Sequence, residues 1–266
     1  MSAPQTAFSP RPGLKTRLTG RNCEALMPYL GDYQLELLAP EDPTPAELII
    51  SSGGDGSLLG AERDYPYIPK LAIRDRAHNP KCPRHGEQEL LADFFAGKLP
   101  SRRIAHIQAT GKDGTLIVEG INDIVITRPV QSAAIRCRLG CGGETLRTQV
   151  ISDGLVFCTA FGSTGYFQSI TRGSFCSGLG VAYSNPMDGN SFTVLNEDAE
   201  LTVQLLRGPA LMLADNAPRL IRLKDGDQLT VSLSTRRTVL YGLEAFRCAE
   251  CYRLRSCGCN TAAETP

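Results

Sequence analysis

Three short segments carry residue types suited to phosphate and hydroxyl chemistry. The first is Gly53-Gly54-Asp55-Gly56-Ser57, which follows the apolar run from Glu47 to Ser52. Glycines let a backbone approach phosphate oxygens closely and take up positive φ. A helix starting just after such a loop adds oriented N–H groups and a favourable dipole. The carboxylate is the informative member. Beside a phosphate, Asp55 would repel its ligand unless it binds Mg²⁺ or takes a proton from a nucleophilic hydroxyl. The competing reading is a tight strand-to-helix turn in which Asp55 is the N-cap.

The second segment runs from Asp153-Gly154 through an apolar stretch to Thr159 and on to Gly162-Ser163-Thr164-Gly165-Tyr166. It reads as a strand entering a Gly-Ser-Thr-Gly turn and then a helix through Arg172. Small hydroxyl side chains and exposed N–H groups there suit a ribose, an adenine edge or a phosphate. Taken alone, it is also a capped helix start, with Ser163 or Thr164 as N-cap. The third segment, Gly120-Ile121-Asn122-Asp123, precedes an apolar strand. Asn and Asp together can read an adenine edge and two ribose hydroxyls, or form an Asx turn.

The elements that must hold these segments change character along the chain. Residues 1–22 are expected to be a mobile terminus, with a transit peptide as the alternative. Residues 23–100 read as a short, Rossmann-like α/β domain. It has buried strands at Glu47–Ser52 and Pro69–Ile73 and a helix at Glu87–Ala96 with Leu90, Leu91, Phe94 and Phe95 on one face. Residues 101–245 alternate apolar and polar side chains with period two, which predicts half-buried strands of an all-β sandwich. Residues 246–266 form a cysteine-bearing tail.

Composition removes several function classes. The 266 residues carry 28 basic and 28 acidic side chains, so the formal net charge is zero. A nucleic-acid binder needs a basic surplus to neutralise phosphates. No apolar run approaches a membrane span, and we expect a cytoplasmic protein, organellar as the alternative. The 10 cysteines follow no apolar signal segment, which argues against a secreted disulfide scaffold. Cys248, Cys251, Cys257 and Cys259 have a C-x₂-C-x₅-C-x-C spacing that can close a structural zinc site. The second pair is tight, and free thiols on a tail are the competing reading. Cys137 and Cys141 either pair with each other or, as the plainer reading, stay unpaired, and His78, His85 and His106 are read as solvated or structural.

In this order the three segments resemble the NAD kinase family, whose pattern is a GGDGT loop, an N-E or N-D pair, and D-G-(apolar)-T-x-x-G-S-T-A-Y. The likeness covers about residues 47 to 245. It implies an α/β domain followed by a β-sandwich, with NAD between them. It also implies Mg²⁺ or another divalent cation, ATP or polyphosphate as phosphoryl donor, and a homodimer or homotetramer. By matching position, Asp55 is the catalytic carboxylate near the 2′-hydroxyl of the adenosine ribose. Gly53, Gly54, Gly56 and Ser57 face phosphates. Asn122 and Thr164 touch adenine, Asp123 the ribose hydroxyls and Asp153 the nicotinamide side, while Gly165, Tyr166 and Ser169 line the pocket.

The chain departs from that pattern in several places. Ser57 replaces a threonine, and a glycine-rich stretch is replaced by Ala72-Ile73-Arg74-Asp75-Arg76-Ala77-His78-Asn79. There Arg74 and Arg76 either grip phosphates or belong to a remodelled surface loop. Tyr183 to Asp188 replaces a P-I-C-P-H-like segment, and no opening strand is evident before Leu35. A catalytically weak or inactive NAD(P)-binding regulatory protein on the same scaffold is therefore the alternative function.

Overall fold

The computed structural model describes residues 10–75, 82, 84–189 and 191–256. Two compact units divide the chain. One takes the residues up to Arg103 together with those from Thr238 on, and the other spans Ile104–Arg237.

In the first unit the strands β1 (Lys15–Gly20), β2 (Glu36–Leu37), β3 (Leu48–Ser52) and β4 (Lys70–Ile73) pair in parallel in the order β2-β1-β3-β4. Helices α1 (Met27–Leu30), α2 (Asp55–Asp64) and α3 (Glu87–Phe95) supply the crossovers and flanks. Parallel strands covered on both faces need continuous apolar runs. Accordingly, β3 and β4 are buried at every position. Leu14, Leu48, Ile50, Leu71 and Ile73 meet Leu91 and Phe94 of α3 in one core.

The first unit corrects the expected mobile terminus, because Lys15–Gly20 forms an interior strand of the sheet. The segment was hidden by composition. Its charged members include Arg17, which is nonetheless buried and donates to the carbonyls of Ala39, Pro40 and Asp42.

The second unit is antiparallel. Strands β5 (Ser101–Gly111), β6 (Leu116–Gly120), β7 (Asp123–Thr127), β8 (Ile135–Cys141), β9 (Glu144–Ser152) and β10 (Gly154–Thr159) come first. After helix α4 (Tyr166–Thr171) follow β11 (Leu179–Ser184), β12 (Phe192–Leu195), β13 (Glu200–Arg207), β14 (Ala210–Ala214), β15 (Ile221–Leu223) and β16 (Gln228–Tyr241). One sheet runs β12-β11-β10-β7-β14-β15, and β13, β8 and β9 follow the first part of β16 in the other. Inward residues of both sheets, among them Ile124, Phe157, Leu139 and Val203, form one core, the sandwich expected from period two. Phe167 of α4 packs on Val125, Val156 and Ala182, on a second, smaller cluster.

The end of β16 belongs to the first unit, where Leu240 and Tyr241 pair in parallel with Lys70 and Leu71 of β4. Helices α5 (Leu243–Phe246) and α6 (Ala249–Ser256) follow there. Residues 246–256 are thus part of the first unit and not a separate tail, while residues 257–266 lie outside the described residues. Among the described residues no helix is long and apolar enough to cross a membrane.

Candidate active site

The order β2-β1-β3-β4 reverses direction between β1 and β3, the place where open parallel sheets form a crevice beyond their strand ends. The glycine loop lies there. β1 ends at Gly20 and β3 at Ser52, and these two residues are in register. Gly20 has φ +97°, and a Cβ on it would stand 2.1 Å from the carbonyl oxygen of Ser52. Gly53 has φ +134°, and a Cβ there would stand 2.2 Å from Ser57 Oγ. Both positions require glycine. Gly54 is the N-cap of α2, with no side-chain cap, and Asp55 is the first helical residue. This overturns the reading of Asp55 as N-cap and leaves its carboxylate about half exposed, at 53%.

Two cations face that carboxylate. Arg74, the residue after β4, donates from Nη2 to Asp55 Oδ2 at 2.9 Å. Arg247 Nη2 stands 3.7 Å from Asp55 Oδ1. Arg74 is itself buried, donates from Nε to the Phe246 carbonyl at 2.5 Å and lies 4.1 Å over the Phe246 ring. Burial lowers the pKa of Arg247, Asp55 opposes that shift, and Arg74 adds to it. A guanidinium still stays charged at neutral pH. The next residue, Asp75, is buried and accepts from Asn22 Nδ2 at 3.3 Å. Residues 76–79 lie outside the described residues, and with them Arg76 and His78.

In the second unit, Asp215 organises the Asn122-Asp123 turn. Its carboxylate accepts from the backbone N–H groups of Ile121, Asn122 and Asp123 at 2.9, 2.8 and 3.0 Å. The Asn122 amide donates to Asp123 Oδ2 at 3.4 Å, while Asn122 Oδ1 is buried with no hydrogen-bond partner among the described residues. An orphaned buried acceptor is costly and suits a ligand N–H. Asp123 is 6% exposed. Burial, with the Asp215 charge second, pushes its pKa up to about 7.

The Gly162–Tyr166 turn closes on the same residues. Thr159 Oγ1 donates to the Ile121 carbonyl at 2.7 Å and accepts from Gly162 N–H at 3.0 Å. A Cβ on Gly162 would stand 2.0 Å from the Asn122 carbonyl oxygen, so the glycine permits direct backbone contact. Ser163 is buried, its Oγ within hydrogen-bond distance of the Ala160 and Phe175 carbonyls, and it accepts from the Phe175 N–H. Neither Ser163 nor Thr164 is an N-cap; Phe161 and Gly165 hold those positions. Thr164, Gly165, Tyr166 and Ser169 are exposed, and Ser169 Oγ donates to the Tyr166 carbonyl at 2.7 Å.

The second unit thus brings Asn122, Asp123 and the 162–166 turn together, but Asp153 stands apart. Asp123 is opposite Cys158 on β10, and Asp153 precedes that residue by five positions, or about 17 Å at the strand rise. It is paired there with Arg128 at 3.0 Å and with Asn185 at 2.8 Å.

The cysteine expectation also changes. Cys248 and Cys251 gather with Cys82 and His85, their ligand atoms all within 4.8 Å of one another, whereas Cys257 and Cys259 lie outside the described residues. His85 is therefore not simply a solvated histidine. His106 is structural, buried with Nδ1 3.4 Å from Glu119 Oε1. Cys137 and Cys141 are free. They are four residues apart on one strand, about 13 Å, too far to bridge.

Sequence reasoning missed Gly20, Asn22, Asp215, Phe246 and Arg247. Asp215 left a faint signal, an Ala-Asp-Asn break after an alternating strand. Arg247 left none, since it lies far along the chain from Asp55.

No protein-family model matches the chain. The chain is 28% identical over 224 residues to an NAD kinase of Natranaerobius thermophilus, covering 74% of this chain and 73% of the relative. It is 26% identical over 211 residues to an NAD kinase of Cupriavidus pinatubonensis, covering 74% and 68%. Among solved structures, an NAD kinase from Archaeoglobus fulgidus in complex with ATP superposes with a TM-score of 0.69 at 19% identity, over 88% of this chain and 96% of that one. Yeast NADH kinase complexed with NADH gives 0.70 at 16% identity, over 87% and 83%. The fold is therefore that of the NAD kinases, and the chain is similar in sequence to two NAD kinases over about three quarters of its length.

Proposed function

We propose that the chain transfers a phosphoryl group from ATP to the 2′-hydroxyl of the adenosine ribose of NAD, giving NADP. The observation that carries this reading is the Gly53–Ser57 loop at the ends of β1 and β3, presenting Asp55 to two guanidinium groups at the N-terminus of a helix. Backbone N–H groups of the loop and α2 bind phosphate oxygens, and Arg74 and Arg247 supply fixed positive charge for the triphosphate. A ribose hydroxyl is a poor nucleophile at neutral pH, so Asp55 accepts its proton as the oxygen attacks.

In the second unit, Asn122 Oδ1 accepts from the adenine amine and Asp123 accepts from ribose hydroxyls. Thr164, Gly165, Tyr166 and Ser169 form the wall. Asp153, about 17 Å along the strand from Asp123, stands on the nicotinamide side in this reading. Both Asp55 oxygens already face guanidinium groups, so the donor set suits a magnesium ion carried in on the triphosphate, with Asp55 and Asp75 nearby, more than a cage built by the protein. Such an ion offsets charge on the transferring group.

The same two ion pairs favour a second reading, a dinucleotide-binding regulatory protein whose Asp55 is too strongly paired to act as a base. One assay separates them. The protein is incubated with NAD and MgATP, then with NAD and polyphosphate, and NADP is measured. Product from either donor, falling about 10²- to 10⁴-fold in Asp55→Asn with NAD binding retained, supports the kinase. Binding of NAD without product supports the regulator. Near-normal turnover in Asp55→Asn removes the proposed base.

A further inference from the structure

We propose that Cys82, His85, Cys248 and Cys251 form a structural zinc site that ties α6 to the segment following β4. The two pairs have the spacings C-x₂-H and C-x₂-C, within the range that lets one turn present two ligands to one tetrahedral ion. Cys248 directly precedes α6 and Cys251 lies in its first turn, three positions on, so the two sit on one side of the helix start. All four ligand atoms lie within 4.8 Å of one another. The Cys82 and Cys251 sulfurs are 3.6 Å apart, close to the edge of about 3.8 Å that a tetrahedron with Zn–S bonds near 2.3 Å requires.

The surroundings suit thiolates. The backbone N–H of Cys82 donates to Cys251 Sγ at 3.3 Å, a bond that grows stronger when sulfur is charged. Cys82 and Cys251 are buried, whereas His85 and Cys248 are partly exposed. That leaves the ion a way in. Three sulfurs and one imidazole nitrogen select a borderline-soft ion of tetrahedral preference, which is zinc rather than magnesium or calcium.

The site also has a mechanical consequence. Cys248 follows Phe246 and Arg247 directly, and Cys82 lies eight residues after Arg74. An ion joining Cys82 to Cys248 therefore holds the segment that carries Arg247, which faces Asp55. It does so without touching the reacting groups.

The test uses the full chain, purified under reducing conditions without chelator. Elemental analysis should give one zinc per chain, released as a thiol-modifying reagent consumes the ligand thiolates. Replacing zinc with Co²⁺ should give the ligand-field bands of a tetrahedral ion and a thiolate-to-cobalt charge-transfer band. The double variant Cys248→Ser/Cys251→Ser should lose the metal, while Cys257→Ser/Cys259→Ser should retain a full equivalent. If the first variant does not fold, titration of the metal-free wild-type chain with Co²⁺ decides the matter through its spectrum. The proposal is overturned if the protein holds less than a tenth of an equivalent of zinc and shows no tetrahedral cobalt spectrum. It is also overturned if metal depends on Cys257 and Cys259 instead, or if Cys82 and Cys251 are found as a disulfide.

Discussion

Asp123 offers the sharpest quantitative test. Its carboxyl is buried beside the Asp215 carboxylate, and its pKa rises from 3.8 to about 7. Holding it ionised in the folded chain, relative to the unfolded chain, therefore costs about 4 kcal/mol, at 1.36 kcal/mol per pKa unit. The sign follows from linkage. Below the ordinary carboxyl pKa both states are protonated and the cost is absent. As pH rises from 4 towards 7 the unfolded chain releases its proton first, so stability falls, and above 7 the loss is complete. Asp123→Asn keeps the shape and can still accept from the Asn122 amide, but it cannot ionise. Urea unfolding of both proteins from pH 4 to pH 8 measures the effect. The variant should gain on the wild type steadily through this window, by up to about 4 kcal/mol at the upper end. If the two stability curves stay parallel, the burial argument fails. In the proposed function the same carboxylate accepts from ribose hydroxyls, which favours its ionised form. NAD binding just below pH 7 should then release protons in the wild type and none in Asp123→Asn, as calorimetry in buffers of different ionisation heat would show.

Two further perturbations test the framework that positions the site. Lys70 and Glu62 form a buried pair at 2.6 Å, with 0% and 4% of their side chains exposed, and Thr238 and the Tyr67 N–H also donate to the Glu62 carboxylate. Removing one partner, in Lys70→Met or Glu62→Gln, should cost about 3–5 kcal/mol in denaturant unfolding. The double variant should lose clearly less than the sum, and additive losses would show that the pair is not coupled. Gly162→Ala drives a Cβ against the Asn122 backbone. It should cost about 1–3 kcal/mol and weaken NAD binding, whereas Gly173→Ala, which meets nothing within 4 Å, should leave both unchanged. Equal effects of the two substitutions on NAD affinity would break the proposed link between the 162 turn and Asn122.

By itself the sequence determined the local elements and the loop chemistry. Apolar runs at β3 and β4 and the period-two stretches of the second unit are burial patterns that strand geometry imposes on a chain, so they can be read without coordinates. The glycines at 53 and 162 are likewise legible, because only glycine tolerates such φ values or backbone approach. Only the tertiary structure decided what is long-range. β1 carries charges that become acceptable once Arg17 finds three carbonyls. Asp215 meets Ile121 to Asp123 across 92 to 94 residues. Arg247 reaches Asp55, and Cys82 and His85 meet Cys248 and Cys251, because β16 brings the chain back beside β4. A pairing between distant residues leaves no periodic trace in one sequence. Side chains so far apart come together only when the strands between them have chosen their neighbours.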